Sequence, residues 1–356
     1  MRDDESNLSK FYPLGCFFDE SFARYFVKLN ILPRLNLSCC NISDCEINQL
    51  KSRRRKPVIE FKLQLLNGEN DNQQQISIRL IGKYRNDGLL RVVFDLLQEL
   101  WDKSSFGGED NQYLRICRPI GYFSDYKLIV TSKAPGIELG KIILQLVKGD
   151  GRTNEKAIQI ETYVLQAARW LAKLHKIERV RYAPPFFIEK EEIKLREWSG
   201  HLESLYPNFA ERICSMFSNI LDKERDLDGK SFVLIHGDFN PNNIFIEDMT
   251  SKMTVIDFEQ SCMFDPAKDL GYFIAKLQSY KMKYNLPLDT ERLQQHFLDT
   301  YYVSASTESI GNIELFKARS YLQHLHFRYW TCRRNHPPDS IDCKYWMKKA
   351  EDFLKR

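Results

Sequence analysis

Val233-Leu-Ile-His236-Gly-Asp238-Phe-Asn-Pro-Asn-Asn243-Ile-Phe-Ile-Glu247 and, six residues on, Met253-Thr-Val-Ile-Asp257-Phe-Glu259 form the most informative stretch of this 356-residue chain. Val233, Leu234 and Ile235 read as a strand that stops at His236-Gly237-Asp238. Asn243 lies five residues past Asp238 and opens a second apolar run. A polar turn over 248–252 leads to a third run, which ends at Asp257. Two antiparallel strands joined in this way would return Asp257 close to Asn243, with Asp238 just ahead of the first strand. One carboxylate, one amide and a second carboxylate then converge at one end of a hairpin.

Phosphoryl transfer asks for such a trio. The reaction leaves little covalent chemistry to the protein and depends on positioning and on neutralising phosphate charge. An ionised Asp accepts the proton of an acceptor hydroxyl and orients it. A second Asp and the oxygen of an Asn amide are hard ligands suited to Mg²⁺. Taken singly, Asp, Asn and Gly are ordinary turn residues, so Asn240 and Asn242 read as turn formers, Asp269 as a helix N-cap and His175 as structural. The weight rests on the joint spacing of His236-Gly237-Asp238, Asn243, Asp257-Phe258-Glu259 and Asp265-Pro266.

These motifs resemble a known family. Asp followed by Asn at five residues and then a strand-end Asp-Phe is the spacing of a kinase catalytic loop and its metal-binding Asp. Gly237 stands where protein kinases usually carry Arg, and Glu259 rather than Gly follows Asp257-Phe258. With Asp265-Pro266-Ala-Lys-Asp269-Leu270 eight residues beyond Asp257, the order is similar to the aminoglycoside phosphotransferase and choline kinase-like small-molecule kinases. The resemblance covers 233–273 strongly and most of the chain collinearly. It implies an α+β, bilobal protein-kinase-like fold and transfer of the γ-phosphate of ATP or GTP, with Mg²⁺, to the hydroxyl of a small molecule. By it Asp238 is the catalytic base, Asn243 and Asp257 hold the metal, His236 braces the loop, and Asp265 and Asp269 are structural. Phe264 departs from the family, which often has Gly before Asp-Pro.

The first part of the chain reads as sheet. An aromatic-rich helical segment over 19–29 is followed by strands at 57–66 and 75–84, joined across a polar turn at 67–74 into a hairpin. Asp87-Gly88 starts a helix with Leu90, Val93, Phe94, Leu97, Leu100 and Trp101 at helical spacing, and a strand pair is expected at 114–122 and 126–131. Breakers at 132–136 mark a hinge, and from there the chain reads as mostly helical, most clearly at 157–175. The expected organisation is a nucleotide-binding lobe over 1–131, a hinge at 132–136 and a helical lobe over 137–356 with the catalytic loop and acceptor site.

Nucleotide binding needs a cation on the phosphates, usually a strand Lys paired with a helix acid. Lys83, at the end of the second hairpin strand, fits, with Asp95 favoured over Glu99 as its partner. No Gly-x-Gly-x-x-Gly precedes these strands; Lys51-Ser-Arg53-Arg54-Arg55-Lys56-Pro57 stands in its place, so Arg53 and Arg54 are candidates to reach the phosphates with side chains. A solvated charge run and a nucleic-acid patch are the competing readings of that turn.

Composition narrows the rest. A net charge of +4 does not suggest a nucleic-acid binder, and the chain has no apolar run long enough for a membrane span and no secretory signal. Nine cysteines at irregular spacing do not make a disulfide framework; Cys39, Cys40 and Cys45 read as buried thiols of a cytoplasmic protein. Residues 314–356 hold ten Lys and Arg against five Asp and Glu, which tilts against a polycationic acceptor. Two other functions compete. An atypical protein kinase is disfavoured by the missing Arg and Ala-Pro-Glu segment, and a silent kinase-like scaffold is disfavoured by the intact Asp238, Asn243 and Asp257.

Overall fold

A computed structural model describes residues 14–51, 57–68, 74–103, 106–107, 113–148, 153–247, 252–308, 310–331 and 341–354. The basic turn with Arg53 and Arg54 lies outside the described residues. The chain divides into two compact units: Met1–Pro135 with Thr254–Glu259, and Gly136–Met253 with Gln260–Arg356.

The first unit is built on an antiparallel sheet. Its described elements are α1 (Glu20–Phe26), β1 (Asn41–Lys51), β2 (Val58–Asn67), β3 (Gln74–Tyr84), α2 (Leu89–Lys103), β4 (Leu114–Ile116), β5 (Pro119–Phe123) and β6 (Leu128–Ser132). The five-stranded sheet runs β1-β2-β3-β6-β5. Its backbone register places Lys83 opposite Val58 on one side and Ile129 on the other. Apolar residues of β2 alternate inward, so Ile59, Phe61, Leu63 and Leu65 are fully buried. Against them packs α1, whose start is capped by the Asp19 carboxylate accepting from Phe22 N–H at 2.8 Å. Phe17, Phe26 and Phe123 form the aromatic centre, with ring centroids 4.8 Å apart for Phe17–Phe26 and 4.9 Å for Phe26–Phe123. Leu90, Val93, Leu96, Leu97 and Leu100 form the buried stripe of α2, with Phe94 and Trp101 half-buried.

Two features depart from the pattern. β1 has no strand signature, because Asn41, Ser43 and Asp44 interrupt it and bulges at Ile42/Asp44 and Gln49/Lys51 break its period of two. The strand expected over 114–122 is split in two, with Cys117 and Arg118 between β4 and β5. Cys40 and Cys45 are buried, and burial pushes the Cys45 thiol up to about 11. Cys39 is exposed instead and donates to the Asn67 amide oxygen at 3.7 Å.

The second unit is mainly helical. In chain order it has β7 (Ile137–Glu138), α3 (Leu139–Leu144), α4 (Thr153–His175), α5 (Ile188–Leu205), α6 (Ala210–Arg225), β8 (Val233–Ile235), β9 (Ile244–Glu247), β10 (Lys252–Val255, where the chain crosses into the first unit), β11 (Cys262–Phe264), α7 (Ala267–Tyr284), α8 (Thr290–Ala305), α9 (Ile313–Leu325) and α10 (Ile341–Leu354). The periodicity over 157–175 is realised in α4, where Ile160, Val164, Ala168, Leu171 and Leu174 are fully buried. β8 pairs antiparallel with β11, Ile235 opposite Cys262 and Val233 opposite Phe264. Phe264, the departure from the family, is a packing residue: its ring stacks on Phe186 at 3.7 Å between centroids and meets Phe232 at 5.0 Å. A buried charge cluster ties three helices together. Arg319 of α9 pairs with Glu191 of α5, and its Nε lies 3.1 Å from Glu224 Oε1 of α6 without hydrogen-bond alignment. Burial raises both acids, but the charges of Arg319, Lys268 and Lys194 and the Arg319 hydrogen bond together outweigh it at Glu191, which is held far below the usual range, while Glu224 stays raised.

Candidate active site

The second unit presents Asp238 at the end of a rigid mount. β8 delivers the chain to His236, and Asp269 of α7 then grips the backbone: its Oδ2 accepts from His236 N–H at 2.6 Å and its Oδ1 from Gly237 N–H at 2.8 Å. His175, the last residue of α4, lies with Nε2 3.3 Å from Asp269 Oδ2 and Nδ1 2.8 Å from the Tyr301 hydroxyl. Asp269 is fully buried. Burial pushes its carboxyl up, but His175 and the His236 backbone donor outweigh that and hold it below the usual carboxylate value. It is therefore no simple N-cap. The cap of α7 is Asp265, whose carboxylate accepts from Ala267 N–H at 2.8 Å and from the Asn312 amide at 2.9 Å.

Gly237 has a φ of +77°, and a Cβ there would fall 2.1 Å from the Gln260 carbonyl oxygen. Neither the left-handed backbone nor the space admits a side chain, so the Arg of protein kinases has no room here. Gly237→Ala is expected to lose about 1–2 kcal/mol from backbone strain alone, more with the contact, read as a lower urea midpoint for unfolding.

The loop then fixes the Asp238 carboxylate. Asp238 N–H donates to His236 Nδ1 at 3.3 Å, which makes Nδ1 the acceptor and leaves the ring proton on Nε2. His236 itself is fully buried, its ring edge-on to Trp170 at 6.2 Å and to Phe239 at 5.9 Å. Asn240 Nδ2 donates to Asp238 Oδ1 at 3.1 Å, and Asn243 Nδ2 donates to Asp238 Oδ2 at 3.0 Å. Both amides also donate to the Asp238 carbonyl oxygen at 2.9 Å. The donor edge of Asn243 is thus committed to Asp238, and its oxygen edge is the one left for a cation. Tyr272 of α7 is buried near the same carboxylate: burial first, then the Asp238 charge, raise its pKa well above the ordinary tyrosine value. A carboxylate so held is an oriented proton acceptor.

The first unit presents Lys83 and Asp257. Lys83 Nζ lies 2.9 Å from Asp257 Oδ1 and 3.8 Å from Glu259. Burial would lower the Lys83 ammonium, but Asp257 and Glu259 outweigh it and raise its pKa. Arg85 also pairs with Glu259. Asp257 sits at φ +75°, a strained setting for a residue with a side chain. The expected Lys83–Asp95 pair is corrected: half-buried Asp95 accepts from Arg91, one turn earlier in α2, at 2.9 Å, and the acid on Lys83 is Asp257. An i,i+4 pair along its own helix satisfies Asp95 locally. Glu99, the other helix acid considered, is buried.

Asn240, Tyr272 and Glu259 escaped the sequence reading as site residues. Tyr272 and Asp269 sit three residues apart on α7, and that spacing after Asp265-Pro266 is the one sequence signal that could have placed both against the loop.

The family model described as "Phosphotransferase enzyme family" (APH) matches residues 117–300, just over half of the chain. The fold is similar to that of a protein of Ralstonia eutropha JMP134 assigned as an aminoglycoside phosphotransferase (11% identity, 95% of this chain and 98% of that one, TM-score 0.60). It is also similar to an amicoumacin kinase in complex with AMP-PNP, Ca²⁺ and Ami (14% identity, 86% and 88% covered, TM-score 0.55). A third is the ethanolamine kinase of Plasmodium vivax (15% identity, 93% and 88% covered, TM-score 0.52). No curated protein sequence matches the chain. At these identities the structures show the fold, which is the α+β, bilobal protein-kinase-like one. With its family model spanning more than half of its length, the chain belongs to the APH phosphotransferase enzyme family.

Proposed function

We propose that the protein transfers the γ-phosphate of ATP or GTP to a hydroxyl of a small molecule. The observation that carries this is the Asp238 carboxylate, held by Asn240 and Asn243 on a loop clamped by Asp269. Asp238 takes the hydroxyl proton and aims the acceptor oxygen at the phosphorus, while His236 holds the loop. Lys83 grips the nucleotide phosphates, leaving Asp257 to turn to the metal. The donor chemistry fits Mg²⁺: the Asn243 oxygen edge and the Asp257 carboxylate are hard oxygen ligands, and Mg²⁺ bound with phosphates asks for few protein ligands. When bound, the metal supplies charge neutralisation on the phosphates. Among the described residues there is no cluster of three or more His, Cys, Asp or Glu that would hold a metal by itself. Arg53 and Arg54 keep their proposed place on the phosphates. Among the described residues no helix is long and apolar enough to cross a membrane. The cysteines there carry free thiols, which supports work in the cytoplasm.

Thermal unfolding with and without millimolar ATP and Mg²⁺ tests the proposal. Saturation at about 100 times Kd stabilises the folded state by about 2.7 kcal/mol, so wild type is expected to melt several degrees higher. Asp257→Ala is expected to lose the Mg²⁺-dependent part of that shift. No shift of wild type with either nucleotide would sink the proposal.

A further inference from the structure

One face of α7 is turned onto the catalytic loop. Tyr272, Lys276 and Tyr280 follow each other at intervals of four residues and so share that face. Tyr272 is buried there, where the Asp238 charge acts on it, and the Tyr280 hydroxyl donates to the Asn242 amide oxygen at 2.6 Å. The approach at the second point is so close that a Cβ on Gly140 would fall 2.3 Å from that oxygen and 2.6 Å from the Tyr280 hydroxyl. Lys276 lies between these two tyrosines, half-buried, with its ammonium 5.0 Å from the Tyr272 ring centroid. Among the described residues no carboxylate lies within ion-pair distance of Lys276. Asp238 is the charged group that acts on it, opposing the lowering caused by burial.

The surroundings are basic. His324 of α9 is held down to about 3 by burial and then by Lys276, Arg328 and Lys283. One acid, Glu138, acts on Tyr280, but its carboxylate is bonded to Lys141 at 2.8 Å. A partly desolvated ammonium on the face of α7 turned to the catalytic loop, with no carboxylate at ion-pair distance among the described residues, is a built place for an anion. It repels a cationic amine from the same position.

We infer that Lys276 is the residue that recognises the acceptor, and that the acceptor alcohol carries an anionic group, a carboxylate or a phosphate, which the Lys276 ammonium holds beside Asp238. The inference rests on the phosphotransfer reading and adds the charge class of the substrate. It also gives α7 two jobs: Tyr280 ties the helix to the loop at Asn242, and Lys276, one turn before it, fixes the molecule that the base deprotonates.

Matched probes test it. Full-length protein is assayed for nucleotide-dependent phosphorylation of glycerate, gluconate and glucose 6-phosphate, of the neutral glycerol and glucose, and of the cationic ethanolamine and glucosamine. Wild type is expected to favour the anionic set, and the better of the carboxylate and phosphate members names the anion. K276Q is expected to raise KM for that set about tenfold to hundredfold, the effect of losing one charge-assisted contact, with kcat falling far less; K276R is expected to restore most of the loss. Preference of wild type for neutral or cationic acceptors overturns the inference and leaves phosphotransfer standing. So does a fall in kcat shared by all acceptors in K276Q, which would put Lys276 on the transferred phosphoryl group instead. Absence of nucleotide stabilisation in wild type removes the phosphotransfer reading, and the inference with it.

Discussion

Asp238→Asn is expected to lower phosphotransfer about 10²–10⁴-fold, the usual worth of a general base, while nucleotide stabilisation stays. The carboxylate accepts from Asn240 and from Asn243. Asparagine keeps the shape but has one oxygen, so its NH₂ faces one of those amide donors. A further cost of about 1–3 kcal/mol in stability follows from that donor-to-donor contact. The two effects separate by experiment: urea unfolding reads the second, and turnover at a temperature where the variant is fully folded reads the first. Full activity in folded Asp238→Asn would show that Asp238 does not take the proton. Asp238→Glu is a useful companion, since it keeps the charge and moves the carboxylate by one methylene off the mount built by the two amides.

The comparison with Lys83 shows what local sequence can and cannot carry. Asp238 and Asn243 are legible because they are close in sequence and their spacing is set by one short loop. The partner of Lys83 was sought nearby, on α2, and it lies 174 residues away in Asp257. Nothing in the periodicity around Lys83 encodes that distance. It is set by the chain returning to the first unit at Thr254–Glu259. The same limit hid Tyr272 and Lys276, whose roles depend on which face α7 turns to the loop. β1 was hidden for a different reason: its bulges and its Asn, Ser and Asp residues erase the alternation by which strands are read. The hairpin of β2 and β3, the helix α4 and the short apolar runs of β8 and β9 survive translation because their burial is one-sided and regular.

The lysine–aspartate pair also bears on how the nucleotide would be met. Lys83 and Asp257 neutralise each other at 2.9 Å. On the proposed function, each would be offered a stronger partner by a nucleotide carrying its own phosphates and metal. Exchange of one pair for two costs little desolvation, since both groups already share a partly buried setting. Glu259, at 3.8 Å, remains to keep Lys83 charged and aimed. Arg85 in turn holds Glu259, so Lys83 is fixed by Asp257, Glu259 and Arg85 rather than by a single helix acid.

Asp269→Ala is expected to cost about 3–5 kcal/mol, the loss seen when one member of a buried, bonded charge is removed. Two backbone donors, His236 N–H and Gly237 N–H, lose their acceptor in a fully buried place, and His175 loses its neighbour at the end of α4. Activity is expected to fall as well, because the same two bonds set where Asp238 points. Asp269→Asn keeps one acceptor and should lose less stability. The pH dependence has a definite sign. The folded carboxyl is held below its ordinary value, so its contribution is complete above the unfolded value of about 3.9 and is lost as pH falls through the folded one. Urea midpoints of wild type and Asp269→Ala should therefore stay far apart from pH 7 to pH 5 and converge as the solution becomes more acidic than about pH 4. A gap that held constant to pH 3, or no gap at pH 7, would mean that the loop is positioned by something other than the charge on Asp269. Convergence with acid, together with loss of turnover at neutral pH, would tie the stability of α7 and the aim of the base to one buried side chain.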